Sequence, residues 1–317
     1  MKRITFVLAS LLMLLGLKAT AQNERVLLFE CFTNTSCGPC ASQNPALDAL
    51  INNNGDRIAA IKYHMNWPGA NDPMYLHNTV DNDARKGVYS VNSVPHTVVD
   101  GIRFANVPGN LNQNMVNNWL NITSPLEMRL SYELDENANI ITVHVMGRAT
   151  SAITGSCKLY VGVIEKEIHY TSAPGANGER DFYSVMKKLL PTASGTYIGD
   201  MAEGDYFAYT FTWEWANVYN VDQLDAIAWV QNQNSKEVFQ ACRSSQTIEP
   251  LRQRCRREQR HQREVGELQR QRSAQSDTWQ FRQQPLDFCR VGNRSQWRGV
   301  GYGTMERQPA NLRYRDA

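Results

Sequence analysis

One junction constrains this chain more than any other feature: the apolar run at residues 26–32 (VLLFECF), four polar residues, and then Cys37-Gly38-Pro39-Cys40. A short, almost unbroken apolar run is the pattern of a strand buried on both faces of a parallel or mixed sheet. Pro39 suits the first turn of a helix, where its missing N–H costs nothing, and Ala46, Leu47, Leu50 and Ile51 recur at helical spacing. The two cysteines therefore stand where a strand passes into a helix. Thiols at that spacing serve disulfide exchange, metal or iron-sulfur ligation, or a structural staple equally well, so context has to choose.

The compartment narrows the choice. Lys2 and Arg3 precede an apolar stretch at residues 4–17 and then Ala19-Thr20-Ala21, the order of charge, core and small-residue site that marks a cleaved export signal over residues 1–21. The stretch is shorter than the roughly 18 residues a membrane span needs. Export places the mature chain where disulfides persist, which favours redox or staple roles. No second Cys-x-x-Cys completes a four-ligand site, so neither a metal nor a cofactor is expected.

A length of 317 residues, 42% of them hydrophobic, is enough for two folded domains. Past the cysteines, residues 58–63 (IAAIKY) read as a second buried strand, 76–89 as a helix, and 94–102 as a strand entered through Val94-Pro95 and turned at Asp100-Gly101. Residues 107–120 read as a closing helix. From Leu126 the pattern changes to strict alternation, again at 141–145, 158–170, 206–215, 224–230 and 237–242, which predicts antiparallel hairpins. The expected organisation is an α/β domain over residues 22–123 and a mostly antiparallel β-sandwich over 124–249. Residues 251–317 hold 15 arginines, 11 glutamines and no lysine, whereas the preceding 250 hold nine lysines and nine arginines. This anomalous stretch, from about residue 250, reads as a frame-shifted or disordered tail rather than a nucleic-acid-binding arm.

Strand, Cys-x-x-Cys at the helix start and a later Val-Pro opening a strand together resemble the thioredoxin fold, over about residues 24–122. The resemblance implies that Cys37 is the nucleophile and Cys40 the resolving thiol of a redox-active disulfide, that Pro95 is cis, and that Gly38, Pro39 and Val94 dock substrate. A helix N-terminus stabilises a thiolate at the first cysteine, which agrees. Two positions depart from the pattern. Ser36 stands where thioredoxins place tryptophan. Cys31 stands where they bury a proton-accepting aspartate, with Glu30 beside it as the substitute, although strand alternation turns adjacent residues to opposite faces. The longer series FTNTSCGPC, YHMNWPGANDPMY, YSVNSVPHTVVDG and PGANGERDFYSVMKKLLP resembles the outer-membrane-protein-28-related family of Gram-negative envelopes.

That likeness implies an exported thiol-disulfide oxidoreductase of reductase or isomerase type in the periplasm, outer membrane or cell surface. Its partners would be protein thiols or disulfides and a redox donor, with outer-membrane association but no transmembrane helix. The alternative is an envelope binding or structural protein whose disulfide does not turn over. Weaker signals remain. Glu165, Glu167 and His169 share a strand face that suits a ligand or plain solvation. His64 and His77 flank the insertion at 64–77 as acid–base candidates or surface residues. Asn34 and Asn121 open glycosylation triplets that read as chance. Cys157 and Cys242 are candidates for a staple.

Overall fold

The computed structural model describes residues 23–244; the expected export signal and the arginine-rich tail lie outside the described residues. Strand β1 (Leu27–Thr33) leads through a turn into helix α1 (Gly38–Asn53), and β2 (Ile58–His64) returns parallel to β1. The single helix expected at 76–89 is two, α2 (Pro73–Leu76) and α3 (Thr79–Tyr89). The Asn78 side chain accepts from the Asp81 N–H and caps α3, which ends the first helix and starts the second. β3 (His96–Val99) and β4 (Phe104–Asn106) form the expected hairpin, with Asp100 and Gly101 at φ of 46° and 75°. The closing helix is shorter than expected: a turn at Pro108–Asn110 precedes α4 (Gln113–Leu120), capped by Asn112.

Seven strands are assigned to the described residues after α4: β5 (Leu126–Asp135), β6 (Ile140–Ala149), β7 (Cys157–His169), β8 (Asp181–Leu190), β10 (Tyr206–Glu214), β11 (Leu224–Asn232) and β12 (Val238–Arg243), with a two-residue β9 (Thr196–Tyr197). Counting β9 makes eight. They do not form a sheet of their own. The order β12, β11, β7, β8, β2, β1, β3, β4 is one mixed sheet, joined where β8 runs parallel to β2 at Lys62 and Val185. β10, β6 and β5 make a second, antiparallel sheet. The segments on either side of residue 123 thus share one sheet, and β8 is an element that hydrophobic alternation did not mark.

Side-chain alternation sorts the cores. On β1, Leu27, Phe29 and Cys31 pack with Leu47 and Ile51 of α1 and Val116 of α4. Leu28 and Phe32 face the other way, into a core shared with Tyr160, Trp229 and Val91. The second sheet contributes Leu130, Val143 and Phe207 to a core with Leu159, Val161, Ala226 and Ala228. Helices therefore cover one end of the large sheet and the small sheet covers the other end.

Glu30 lies in the shared core, not among the cysteines. It is fully buried, and Arg85 of α3 meets it with Nε and Nη2 at 2.7 Å each. Tyr89 and Tyr63 hydroxyls donate to the same carboxylate at 2.5 and 3.1 Å. The guanidinium also reaches Gln231 at 3.2 Å and lies about 5 Å from the ring centres of Tyr160 and Trp229. Burial opposes the Arg85 charge more than any single neighbour favours it, but Glu30 together with Tyr89, Tyr63 and Tyr160 raises the guanidinium pKa. Removing one partner of such a pair strands a buried charge at a cost of about 3–5 kcal/mol. Glu30→Ala should lower unfolding free energy by about that amount. Denaturant titration of the variant checks it; a loss below about 1 kcal/mol would show that the pair is not a structural centre.

Candidate redox site

Cys37 is the N-cap of α1, with φ −86° and ψ 105°, and its Sγ accepts from the Cys40 N–H at 3.1 Å. The two form a disulfide with 5.2 Å between Cα atoms. Pro39 occupies the first turn, which contains no acidic residue, so the positive end of the helix is unopposed by its own side chains. Gly38 and Pro39 are exposed. Cys37 itself is only 2% exposed and Cys40 is not exposed at all.

Val94–Pro95 is cis, as the resemblance implied. It precedes His96, the β3 residue opposite Phe32, at the end of β1 from which the chain continues to the cysteines. Cys31 faces α1, and burial pushes its thiol up to about 12 despite Lys62 on the neighbouring strand. Lys62 is itself paired with Asp48 of α1 at 2.5 Å. Glu30 faces the opposite side of the sheet, where its carboxylate is saturated by Arg85 and the two tyrosines, so it does not replace the missing aspartate.

The turn before Cys37 is held from two directions. From the insertion, Asp72 accepts the Thr35 N–H at 2.8 Å and the His64 Nδ1–H at 2.8 Å, and its other oxygen caps α2 through the Met74 N–H. The Asn34 amide donates to the Met65 and Gly69 carbonyls at 2.7 and 2.8 Å. From the loop between β7 and β8, the Asn177 N–H donates to the Thr35 carbonyl at 3.1 Å, and its side-chain amide reaches the Asn34 and Cys37 carbonyls at 3.3 Å. Glu179 accepts from Asn44 of α1 at 2.7 Å. Gly175 lies so close to Thr35 that a Cβ would stand 2.2 Å from the Thr35 carbonyl oxygen. Sequence reading missed Asp72, Gly175, Asn177 and Glu179 as site residues. The Asp-Pro helix start and the Pro-Gly-Ala-Asn-Gly run were their only traces.

Neither histidine of the insertion is an ordinary surface residue. His64 is 1% exposed, with its ring edge-on to Phe182 and Nε2 unpartnered. His77 accepts at Nδ1 from Lys187 Nζ at 3.2 Å and meets the Tyr219 hydroxyl with Nε2 at 3.1 Å. Burial first, and the Lys187 charge second, hold His77 down to about 4. Lys187 is buried and paired with Glu165 at 2.8 Å. That pairing removes Glu165 from the expected ligand face, leaving Glu167 and His169 exposed, the latter bound to Asp181 at 2.5 Å. Among the described residues no cluster of three metal-ligating side chains occurs.

Asn34 is fully buried and hydrogen-bonded, which rules it out as a glycan acceptor in the folded chain. Cys157 and Cys242 are free. Their strands β7 and β12 lie on opposite sides of β11, about 10 Å apart, beyond what a disulfide spans.

No protein-family model and no curated protein matches the sequence. Among solved structures, HBP35 of Porphyromonas gingivalis is similar at a TM-score of 0.58 and 14% identity, covering 70% of this chain and 76% of that one. A protein of Agrobacterium tumefaciens matches at 0.48 and 14% identity over 72% and 97%. A domain of the outer membrane lipoprotein Omp28 from Porphyromonas gingivalis matches at 0.28 and 12% identity over 38% and 88%. At these identities the likeness to HBP35 shows the fold alone, and the two lower scores carry no argument.

Two outcomes follow from this geometry. Gly175→Ala should push the β7–β8 loop off Thr35 and speed reduction of the Cys37–Cys40 disulfide by dithiothreitol several-fold; an unchanged rate would mean the loop does not limit access. His77 stays neutral in the folded chain to about pH 4, whereas in the unfolded chain it protonates near 6.5. The unfolded state therefore takes up the proton first, and stability falls as pH drops through that window. His77→Gln should flatten this decline; parallel stability curves for the two proteins between pH 6.5 and 4 would refute the assignment.

Proposed function

We propose that the chain is an exported thiol-disulfide oxidoreductase of reductase or isomerase type, a thioredoxin-like unit followed by a β-sandwich-like one. The observation that carries this reading is the disulfide between Cys37 and Cys40 at the N-terminus of α1. The neighbouring strand order β2, β1, β3, β4, with α1 following β1, supports the thioredoxin-like part, as does the fold shared with HBP35. The N-terminal pattern of residues 1–21 supports export to a Gram-negative envelope; among the described residues no helix is long and apolar enough to cross a membrane.

In the reduced protein the Cys37 thiolate attacks one sulfur of a substrate disulfide and expels the other as a thiolate. Cys40 then loses its proton, attacks Cys37 Sγ and releases the substrate as a dithiol once its two thiolates are protonated. The substrate gains two electrons and two protons, and the pair becomes the disulfide; an external dithiol donor must restore it. The helix N-terminus lowers the cost of the Cys37 thiolate. Gly38, Pro39 and Val94, with Pro95, flank the site where an extended substrate would lie. Glu30 has no part in proton transfer, because its lone pairs are engaged in the buried ion pair.

The 2% exposure of Cys37 favours a second reading, a structural disulfide in an envelope binding protein. Insulin reduction with dithiothreitol as donor, together with the reduction potential, separates the two. The oxidoreductase should show turnover that Cys37→Ser abolishes, whereas Cys40→Ser should accumulate mixed disulfide. No turnover and a potential below about −300 mV would establish the structural reading instead.

A further inference from the structure

The loop between β7 and β8 does more than pack against the cysteine turn. Asn177 and Glu179 form a hydrogen-bonded unit over it: the Asn177 amide is shared between the Glu179 carboxylate at 2.5 Å and the carbonyls of Asn34 and Cys37, and the Glu179 N–H returns to the Asn177 side-chain oxygen at 2.9 Å. The second carboxylate oxygen accepts from Asn44, one helical turn beyond Cys40 on the buried face of α1. Glu179 thus carries a negative charge one amide away from the Cys37 carbonyl. Among the described residues both its oxygens are met by neutral amides and no cation forms an ion pair with it.

The other titratable groups around the turn are accounted for differently. Asp72 is compensated by His64 and by three backbone N–H groups. His96, at the start of β3, is half-buried, and burial lowers its pKa. Arg180 follows Glu179 in sequence and is exposed. With no acidic side chain in the first turn of α1, Glu179 is the carboxylate placed to oppose the helix N-terminus where a Cys37 thiolate would form.

We propose that Asn177 and Glu179 are positioning residues of the redox pair, Asn177 keeping Cys37 covered and Glu179 restraining its thiolate. This rests on the oxidoreductase reading, and it gives the β7–β8 loop a share in setting how readily Cys37 reacts. The two roles separate in a pH profile. In the fully reduced, full-length chain, iodoacetamide labelling of Cys37, followed by peptide mass spectrometry, yields a midpoint that reports thiolate formation and a plateau that reports access.

Glu179→Gln should lower the midpoint, raising the thiolate-to-thiol ratio at a given pH by roughly threefold to tenfold, the scale expected for a nearby, partly screened unit charge. Glu179→Asp, which keeps the charge, should retain the original midpoint. Asn177→Ala should raise the plateau several-fold with a smaller change in midpoint. An unchanged or raised midpoint in Glu179→Gln overturns the restraining role, and an unchanged plateau in Asn177→Ala overturns the covering role. Labelling needs no protein substrate, so absence of insulin turnover alongside these shifts would defeat the oxidoreductase reading and leave the two positions intact.

Discussion

The buried ion pair between Glu30 and Arg85 is the interaction on which the arrangement of this molecule depends. A carboxylate on a central strand is costly to bury unless every lone pair finds a donor, and here a guanidinium and two tyrosine hydroxyls supply them. The donors come from α3 and β2, and the guanidinium is in turn enclosed by Tyr160 of β7 and by Trp229 and Gln231 of β11. Strands far apart in sequence must therefore meet in one register before the charge is satisfied. A slip by one residue would turn Glu30 towards α1 and Cys31 into the shared core.

That register has a consequence at the cysteines. Because β1 is locked, its last residue Thr33 delivers the chain to the turn at residues 34–37, which is then held by the insertion on one side and the β7–β8 loop on the other. The two braces differ in character. Asp72 gathers backbone donors and a histidine at one corner, whereas Asn177 and Glu179 lie on an irregular loop, where the Asn177 amide meets the turn.

The geometry also explains how proton and charge are distributed around the pair. The position beneath α1 that would suit an acid holds Cys31, whose burial keeps it a thiol, and the adjacent Lys62 is neutralised by Asp48. A carboxylate bound to the cysteine turn through Asn177, with no cationic partner among the described residues, comes instead from Glu179, in the other half of the chain. Sheet continuity through β8 places it there, since β8 follows directly from this loop and pairs with β2.

The sequence by itself determined the local elements and the motif. The apolar run of β1, the Pro39 helix start, the Asp100-Gly101 hairpin and the alternating strands after Leu126 were legible because backbone sterics and period-two burial act within a few residues. The Cys37–Cys40 pairing and the cis Val94–Pro95 bond matched the resemblance those motifs carried. Only the tertiary structure decided that one mixed sheet runs through both halves. β8 concealed itself by carrying Lys187 and Lys188, and Lys187 is buried because Glu165 arrives from β7 to neutralise it. The fates of Glu30, His64 and Glu179 were equally out of reach of local pattern. Whether a buried acid or imidazole is a catalyst, a strut or a brace depends on which partner the fold brings to it, and for Glu30 and Glu179 those partners include Arg85 and Asn44, 55 and 135 residues away.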